Sequence, residues 1–181
     1  MGKKVLVIVD VQNDFCKGGV LAYGYPKKSN TNKICELAQK FIGEGNFVVA
    51  TRDTHGGNYL DTLEGKMLPI KHCIKNTKGW ELVDRLNGIV TTNRIPIIDK
   101  NSFGSLQVGK HIKCIMKRFT IDEIIVCGYV TEICVLSTIV LLRSMFPNIN
   151  ISILSKLCGS VNEESFNAAL TVLKSIQTFI K

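Results

Sequence analysis

Apolar strand-like runs alternate with segments of helical apolar spacing, and this alternation most limits the folds open to the chain. The run KVLVIVDV (4–11) is almost continuously apolar, as in a central strand that is buried on both faces. Residues 31–45 place apolar side chains at helical spacing and end at a glycine, and a second strand-like run follows at 46–53. This order predicts a three-layer α/β/α sandwich with a mainly parallel, doubly wound sheet.

The later segments continue the pattern within what we expect to be a single domain spanning residues 1–181. We expect strands at 88–94, 122–130 and 150–157, and helices at 106–119 (regular from about Lys110), 132–146 and 162–180. Ser160 and Asn162 are both possible caps for the last helix. The stretch 54–87 is predicted to be mostly irregular, and loops of that length are usually functional.

Charge and cysteine usage narrow the class of protein. The net charge of +8 is spread along the chain and forms no stripe, which favours a solvated basic surface over nucleic-acid binding. No apolar run is long enough to span a bilayer, and the first run is too short for a signal peptide. Seven cysteines without a CxxC pair indicate neither a disulfide framework nor a zinc ribbon. We therefore expect a soluble cytoplasmic protein without nucleic-acid or membrane partners.

Chemically active side chains follow the ends of four predicted strands. Asp10 follows the first, Asp53 and His55 the second, Lys100 the third and Cys134 the fourth. Ligands of open α/β sheets bind beyond the carboxyl ends of the strands, so the topology brings these side chains towards one another.

Three of these residues form a chemically complete set for acyl transfer. A cysteine attacks as the thiolate, which Lys100 would stabilise, while Asp10 would accept the thiol proton and later return it to a leaving amine. Backbone amides in the turn 128–134 would hold an oxyanion. From the residues alone, Cys134 is either a nucleophile or a packed core thiol. Asp10 is likewise a site carboxylate or a loop cap, and Lys100 has the alternative of an ordinary surface lysine.

The long loop offers carboxylate and imidazole donors of the kind that bind divalent metals. Asp53, His55, Glu64 and His72 are the candidates. Spacing alone does not separate a metal site from ordinary polar surface groups, and on that basis the surface interpretation is the stronger one.

Three motifs in order resemble those of the isochorismatase-like cysteine hydrolase superfamily, and within it those of nicotinamidases and related amidases. The motifs read VIVDVQNDFCKGG, DKNSFGS (99–105) and GYVTEICV (128–135), and the resemblance extends over nearly the whole chain. The resemblance implies that Asp10 is the catalytic aspartate, Lys100 the catalytic lysine and Cys134 the nucleophile.

The same resemblance implies further roles. A cis peptide bond between Tyr129 and Val130 would direct the Val130 amide, together with that of Cys134, into an oxyanion hole. Phe15 would stack on a substrate ring, although a core aromatic beside the first strand is an equal alternative.

A metal site is also implied by the resemblance. Asp53, His55 and His72 match the ligands of nicotinamidases, with Glu64 between them as a fourth candidate. Zn²⁺ is the favoured ion, with Fe²⁺ or Mn²⁺ as alternatives, and no organic cofactor is expected.

The implied activity is hydrolysis of nicotinamide to nicotinate and ammonia through a thioester. The segment after the second strand, Thr54 to Gly57, departs from the usual nicotinamidase pattern, which leaves the substrate more open than the mechanism. The alternatives are another small amide or carbamoyl compound, or a catalytically idle relative that binds metal or a partner. The very apolar helix 132–146 suggests a homo-oligomer, either a dimer or a tetramer.

Overall fold

A parallel six-stranded sheet forms the centre of the computed structural model, which describes residues 2–16, 18–23, 25 and 30–181. The strands are β1 Lys3–Val9, β2 Phe47–Asp53, β3 Ile97–Lys100, β4 Ile121–Gly128, β5 Asn150–Cys158 and β6 Phe179–Ile180. Their order is β3-β2-β1-β4-β5-β6, and every neighbouring pair is parallel. The predicted doubly wound sheet is confirmed.

Helices cover both faces of the sheet and complete the three layers. They are α1 Thr31–Gly43, α2 Leu63–Met67, α3 Asp84–Thr92, α4 Leu106–Met116, α5 Leu136–Met145 and α6 Glu163–Ser175. Helix α1 packs against α3, whereas α5 packs against α4 and α6. Within the described residues, no helix has the length and apolar character needed to cross a membrane.

Strand β1 is central because its side chains are apolar on both faces. Every residue from Val5 to Val9 is fully buried, and Val7 pairs with Val49 of β2 on one side and Val126 of β4 on the other. Branched aliphatic side chains suit this environment. The strand order reverses between β1 and β4, and this reversal opens a crevice at their carboxyl ends.

The predicted strand at 88–94 is wrong. That segment belongs to α3, and the third strand lies further along, at Ile97–Lys100. Leu86, Ile89 and Val90 are buried together at helical spacing, but β-branched residues and a boundary drawn at residue 87 hid the first turn of the helix.

Other element boundaries also differ from the predictions. Helix α4 begins at Leu106 rather than near Lys110, because the Ser105 side chain accepts a hydrogen bond from the Gln107 amide and caps it. The segment 132–146 begins with a π-helical turn, Thr131–Val135, before α5.

The closing segment is shorter as a helix than predicted. Asn162, not Ser160, caps α6 by accepting a hydrogen bond from the Ser165 amide. The helix ends at Ser175, and Gln177 in the left-handed region (φ 63°) turns the chain into the short strand β6 beside β5. Two strand residues are too few for a periodic signal.

Candidate active site and metal centre

A cavity of about 590 Å³ opens beyond the carboxyl ends of β2, β3 and β4. Its lining combines the predicted candidates with apolar side chains: Phe15, Tyr23, Asp53, Leu63, Glu64, Met67, Leu68, His72, Asn101, Ser102, Phe103, Val130, Ile133 and Cys134. This volume is within the range of small-molecule sites.

Asp10, Lys100 and Cys134 meet beside this cavity. Lys100 Nζ lies 2.7 Å from Asp10 Oδ2 and 3.6 Å from Cys134 Sγ. The three residues are 0%, 5% and 6% exposed, respectively, so the ammonium group links a buried carboxylate to a buried thiol. The structure thus brings together the three residues for which the sequence left structural alternatives open.

Asp10 is held in place by the neighbouring strand. The Thr51 hydroxyl donates a hydrogen bond to Asp10 Oδ1 (2.6 Å), and the Asp10 amide donates one to Thr51 Oγ1 (3.2 Å). These contacts support a left-handed backbone at Asp10 (φ 48°), which an aspartate adopts more readily than most residues. No sequence motif predicted this role for Thr51.

The pKa values of Asp10, Lys100 and Cys134 are set by their burial and by the charges of their neighbours. Burial raises the pKa of the Cys134 thiol well above its ordinary value, and the Asp10 carboxylate raises it further, whereas Lys100 opposes the shift. Burial also raises the pKa of Asp10, against the charge of Lys100. Burial disfavours the Lys100 ammonium, but Asp10 and Cys134 outweigh burial and the pKa of Lys100 rises. The resting thiol is therefore protonated beside a carboxylate made more basic than usual.

The backbone that leads into Cys134 has the predicted cis peptide bond between Tyr129 and Val130. Val130 and Cys134 both line the cavity. The thiol is carried by the π-helical turn that precedes α5.

Two contacts fix the start of this turn. Gly128 has φ 126°, and a Cβ built there would lie 2.0 Å from the Val9 carbonyl oxygen, so the close approach of β4 to β1 requires glycine. The amide and hydroxyl of Thr131 both donate to the Gly159 carbonyl, at 2.8 and 2.7 Å.

Asp53, His55 and His72 form a compact donor cluster beside the thiol. Asp53 Oδ2 lies 2.9 Å from His55 Nε2 and 3.5 Å from His72 Nε2, and one donor atom from each of the three residues fits within 4.8 Å of the others. His72 Nδ1 lies 2.8 Å from the Ile70 carbonyl oxygen, which only accepts hydrogen bonds. Nδ1 therefore carries a proton, and Nε2 is the ring nitrogen directed at Asp53; it donates to the carboxylate while protonated and would offer its lone pair to an ion once that proton has left.

Glu64 reaches the same cluster from α2. Its Oε1 lies 3.7 Å from both His55 Nε2 and His72 Nε2. Burial disfavours the Asp53 carboxylate, but hydrogen bonds with both histidines and the charge of Lys100 outweigh burial and hold the pKa of Asp53 well below its ordinary value. Imidazole nitrogens and ionised carboxylates are common ligands of divalent transition metals, so these residues fit such an ion.

The two groups of residues adjoin, since Lys100 Nζ lies 3.8 Å from Asp53 Oδ1. Phe15 is 3% exposed and lines the cavity, with its ring centroid 5.7 Å from that of His72 at a tilted angle. It is therefore both a core aromatic and a cavity wall. Tyr59 packs edge-on against His55 and His72 and does not line the cavity.

Several lining residues were not found from the sequence. Ser102 and Phe103 lie within the DKNSFGS motif, which marked only Lys100, although the Lys100 ammonium donates to the Ser102 carbonyl at 3.1 Å. Tyr23, Leu63 and Met67 reach the cavity through folding of the loops, for which local sequence carries no periodic signal.

The chain is similar to known proteins in both sequence and structure. The isochorismatase domain family matches residues 4–180. The nicotinamidase of Escherichia coli is 27% identical, over 93% of this chain and 89% of that protein. The crystal structure of a nicotinamidase/pyrazinamidase from Bacillus subtilis is 29% identical and superposes with a TM-score of 0.83 over 98% of each chain. A zinc complex of the pyrazinamidase from Pyrococcus horikoshii is 25% identical, with a TM-score of 0.80 over 99% of this chain and 98% of that one.

Proposed function

The chain belongs to the isochorismatase family, and we propose that it hydrolyses nicotinamide to nicotinate and ammonia, with Cys134 as nucleophile. One observation carries the proposal: a buried cysteine–lysine–aspartate group borders the same cavity as an Asp-His-His donor cluster. The nicotinamidases among the relatives support the choice of substrate.

The first half of the reaction uses Asp10 as a general base. Because the thiol pKa is raised, little thiolate exists at rest, and proton transfer to Asp10 has to accompany attack on the amide carbonyl. Lys100 stabilises the thiolate as it forms. The resulting tetrahedral oxyanion would accept hydrogen bonds from the amides of Val130 and Cys134.

Collapse of that intermediate breaks the carbon–nitrogen bond. Asp10 returns the proton to the departing amine, so ammonia leaves and a thioester to Cys134 remains. Asp10 then removes a proton from a water molecule that attacks the thioester, and nicotinate is released as the thiol is reprotonated.

The donor cluster would position the substrate. Asp53, His55 and His72, with Glu64 at the edge, would hold a divalent ion, and we propose Zn²⁺ on the basis of the donor types and the zinc-bound relative. A bound ion of this kind supplies a Lewis-acid position for a pyridine nitrogen. Phe15 would form a wall against the ring, which orients the amide towards the thiol.

Ammonia release from nicotinamide by the purified, zinc-supplemented protein tests this proposal. We expect turnover in the parent protein, none above background in Cys134→Ala, and a fall on chelation that Zn²⁺ reverses. Cys114→Ala is the matched control, because Cys114 is an exposed thiol away from the cavity lining. Absence of turnover in the metal-loaded parent would rule out nicotinamide as the substrate.

Another small aromatic amide is a second candidate, favoured by the apolar mouth of the cavity. Leu63 and Met67 line the cavity yet are 80% and 81% exposed, and Phe103 beside them is 49% exposed. Such a rim would accept substituents beyond a bare pyridine ring. Comparing kcat/KM for nicotinamide with that for alkyl-substituted aromatic amides decides between the two.

The proposal includes a cytoplasmic location and a homo-oligomeric state. All seven cysteines are free thiols, as expected in a reducing compartment. Sedimentation of the purified protein would measure its oligomeric state directly.

A further inference from the structure

Gln12, Asn13 and Asp14 follow β1 and connect it to the loops beside the Asp53, His55 and His72 cluster. Gln12 contacts Asp53 and Trp80, Asn13 contacts Lys78 and Glu81, and Asp14 contacts Cys73 and Gly79, all through hydrogen bonds to backbone atoms. None of the three donates to or accepts from a side chain of the thiol group in these contacts. The segment therefore links the two halves of the site through the main chain.

Gln12 holds the backbone of a proposed metal ligand on both sides. Its side chain is fully buried; Nε2 donates to the Asp53 carbonyl at 2.8 Å, and Oε1 accepts from the Asp53 amide at 2.7 Å. A second Nε2 hydrogen bond, also 2.8 Å, reaches the Trp80 carbonyl. Both amide atoms are thus engaged, which fixes the Asp53 Cα and limits where its carboxylate can point.

Asp14 holds the backbone next to His72 in the same way. Its Oδ2 accepts a hydrogen bond of 2.7 Å from the amide of Cys73, the residue that follows His72 and has a left-handed backbone (φ 46°). A Cβ at Gly79 would lie within 2.3 Å of the Asp14 carboxylate oxygens, so the adjacent loop leaves just enough room for this carboxylate.

We propose that Gln12 and Asp14 are positioning residues for the metal ligands: Gln12 sets Asp53 and Asp14 sets His72, each through a backbone amide. The inference rests on the proposed metal site but not on the identity of the substrate. Outer residues of this kind orient the ligands and govern affinity for the ion, typically by about 10- to 100-fold.

Zinc affinity of the full-length protein tests the inference without any substrate. The apoprotein would be titrated with Zn²⁺ against a chromophoric chelator. We expect Gln12→Met and Asp14→Ala each to weaken binding by about 10- to 100-fold. Asp14→Asn keeps an oxygen that accepts from the Cys73 amide, so its affinity should stay close to that of the parent protein.

Two controls separate positioning from loss of structure. Glu123→Gln removes a buried charge near the start of β4, at the other end of the sheet, and should leave zinc affinity unchanged. Labelling with iodoacetamide should modify no additional buried cysteines in Asp14→Ala. If Gln12→Met does not fold, the comparison of Asp14→Ala with Asp14→Asn decides.

Three results would overturn the inference. Parental zinc affinity in the folded Gln12→Met and Asp14→Ala variants would show that these residues are only structural. Equal weakening in Asp14→Asn and Asp14→Ala would remove the specific role of the acceptor oxygen. A parent protein that binds no zinc would remove the metal site itself, whereas failure of nicotinamide turnover alone would leave the inference intact.

Discussion

The residues of the proposed catalytic group are ordinary in type, and burial alters their pKa values. Asp10, Lys100 and Cys134 are almost completely excluded from water, so the protonation of each depends on the other two. Substituting one of the three leaves the others buried without a partner. Such a substitution should therefore reduce turnover more than substitution of any single exposed charged residue.

We predict that Asp10→Asn abolishes the base while preserving the size of the side chain. Turnover should fall by about 10²- to 10⁴-fold, because the thiol proton then has no acceptor of adequate basicity. The measurement is kcat with saturating substrate. Asp61→Asn is the control, since Asp61 is exposed in the same chain. Retention of more than a tenth of the parental kcat in Asp10→Asn would exclude Asp10 as the base.

The sequence predicted that these three residues meet, but it did not indicate the side chains that hold them in place. Asp10, Lys100 and Cys134 lie in short motifs that can be read from local order. Thr51 becomes visible only once β1 and β2 pair, because its contact with Asp10 joins residues far apart in the chain.

Among the elements, the junction between β4 and the π-helical turn that carries Cys134 depends on Gly128. Alanine there would place a Cβ against the Val9 carbonyl in a backbone region that disfavours side chains, so Gly128→Ala should destabilise the protein by about 1–3 kcal/mol or more. Gly88→Ala provides the contrast, because a Cβ in the middle of α3 meets no atom within 4 Å. It should stabilise the protein by about 0.5–1 kcal/mol.

Urea unfolding of the two glycine variants measures both effects. A Gly128→Ala protein as stable as the parent would show that β4 and β1 do not approach as closely as described. Destabilisation by Gly88→Ala would instead argue that residues 84–92 are not helical.

Glu123 contacts side chains from both strands next to β4, at the end of the sheet away from the cavity. Its carboxylate accepts a hydrogen bond from Ser152 of β5, pairs with Lys181, and lies 3.4 Å from Lys4 Nζ of β1. Burial works to raise the pKa of Glu123, but Lys181 and Ser152 outweigh burial and lower it below the ordinary value of 4.5.

This arrangement predicts a pH-dependent loss of stability. A carboxylate with a lowered folded-state pKa stabilises the fold above its unfolded value, and that contribution disappears as the pH falls through the folded value. Glu123→Gln should therefore cost about 1 kcal/mol at neutral pH, a modest figure because both lysines are about half exposed, and progressively less as the pH falls through the lowered folded-state pKa of Glu123. A pH-independent difference in urea midpoint between the two proteins would contradict this.

The long buried strands were more predictable from the sequence than the other elements. The long buried runs of β1, β2 and β4 were visible as apolar patterns, whereas α3 was hidden by its β-branched residues and β6 by its length. The short helix α2 inside the predicted loop carries Glu64 to the cluster, and its position depends on tertiary packing rather than on periodicity.

At the scale of the whole molecule, the strand order explains why distant motifs form one site. The carboxyl ends of β1, β2, β3 and β4 carry Asp10, Asp53, Lys100 and the Cys134 turn, respectively, and parallel pairing aligns these ends. This arrangement was predicted from the alternation of elements. The apolar cavity mouth was not, because it depends on where the loops settle.

Covalent catalysis by Cys134 on nicotinamide is the central claim, and acid-quench mass spectrometry during turnover tests it most directly. The account predicts a nicotinoyl group on the peptide that contains Cys134, formed with the release of ammonia, and neither adduct nor ammonia in Cys134→Ala. An acyl group on another residue, or undiminished turnover by Cys134→Ala, would contradict it.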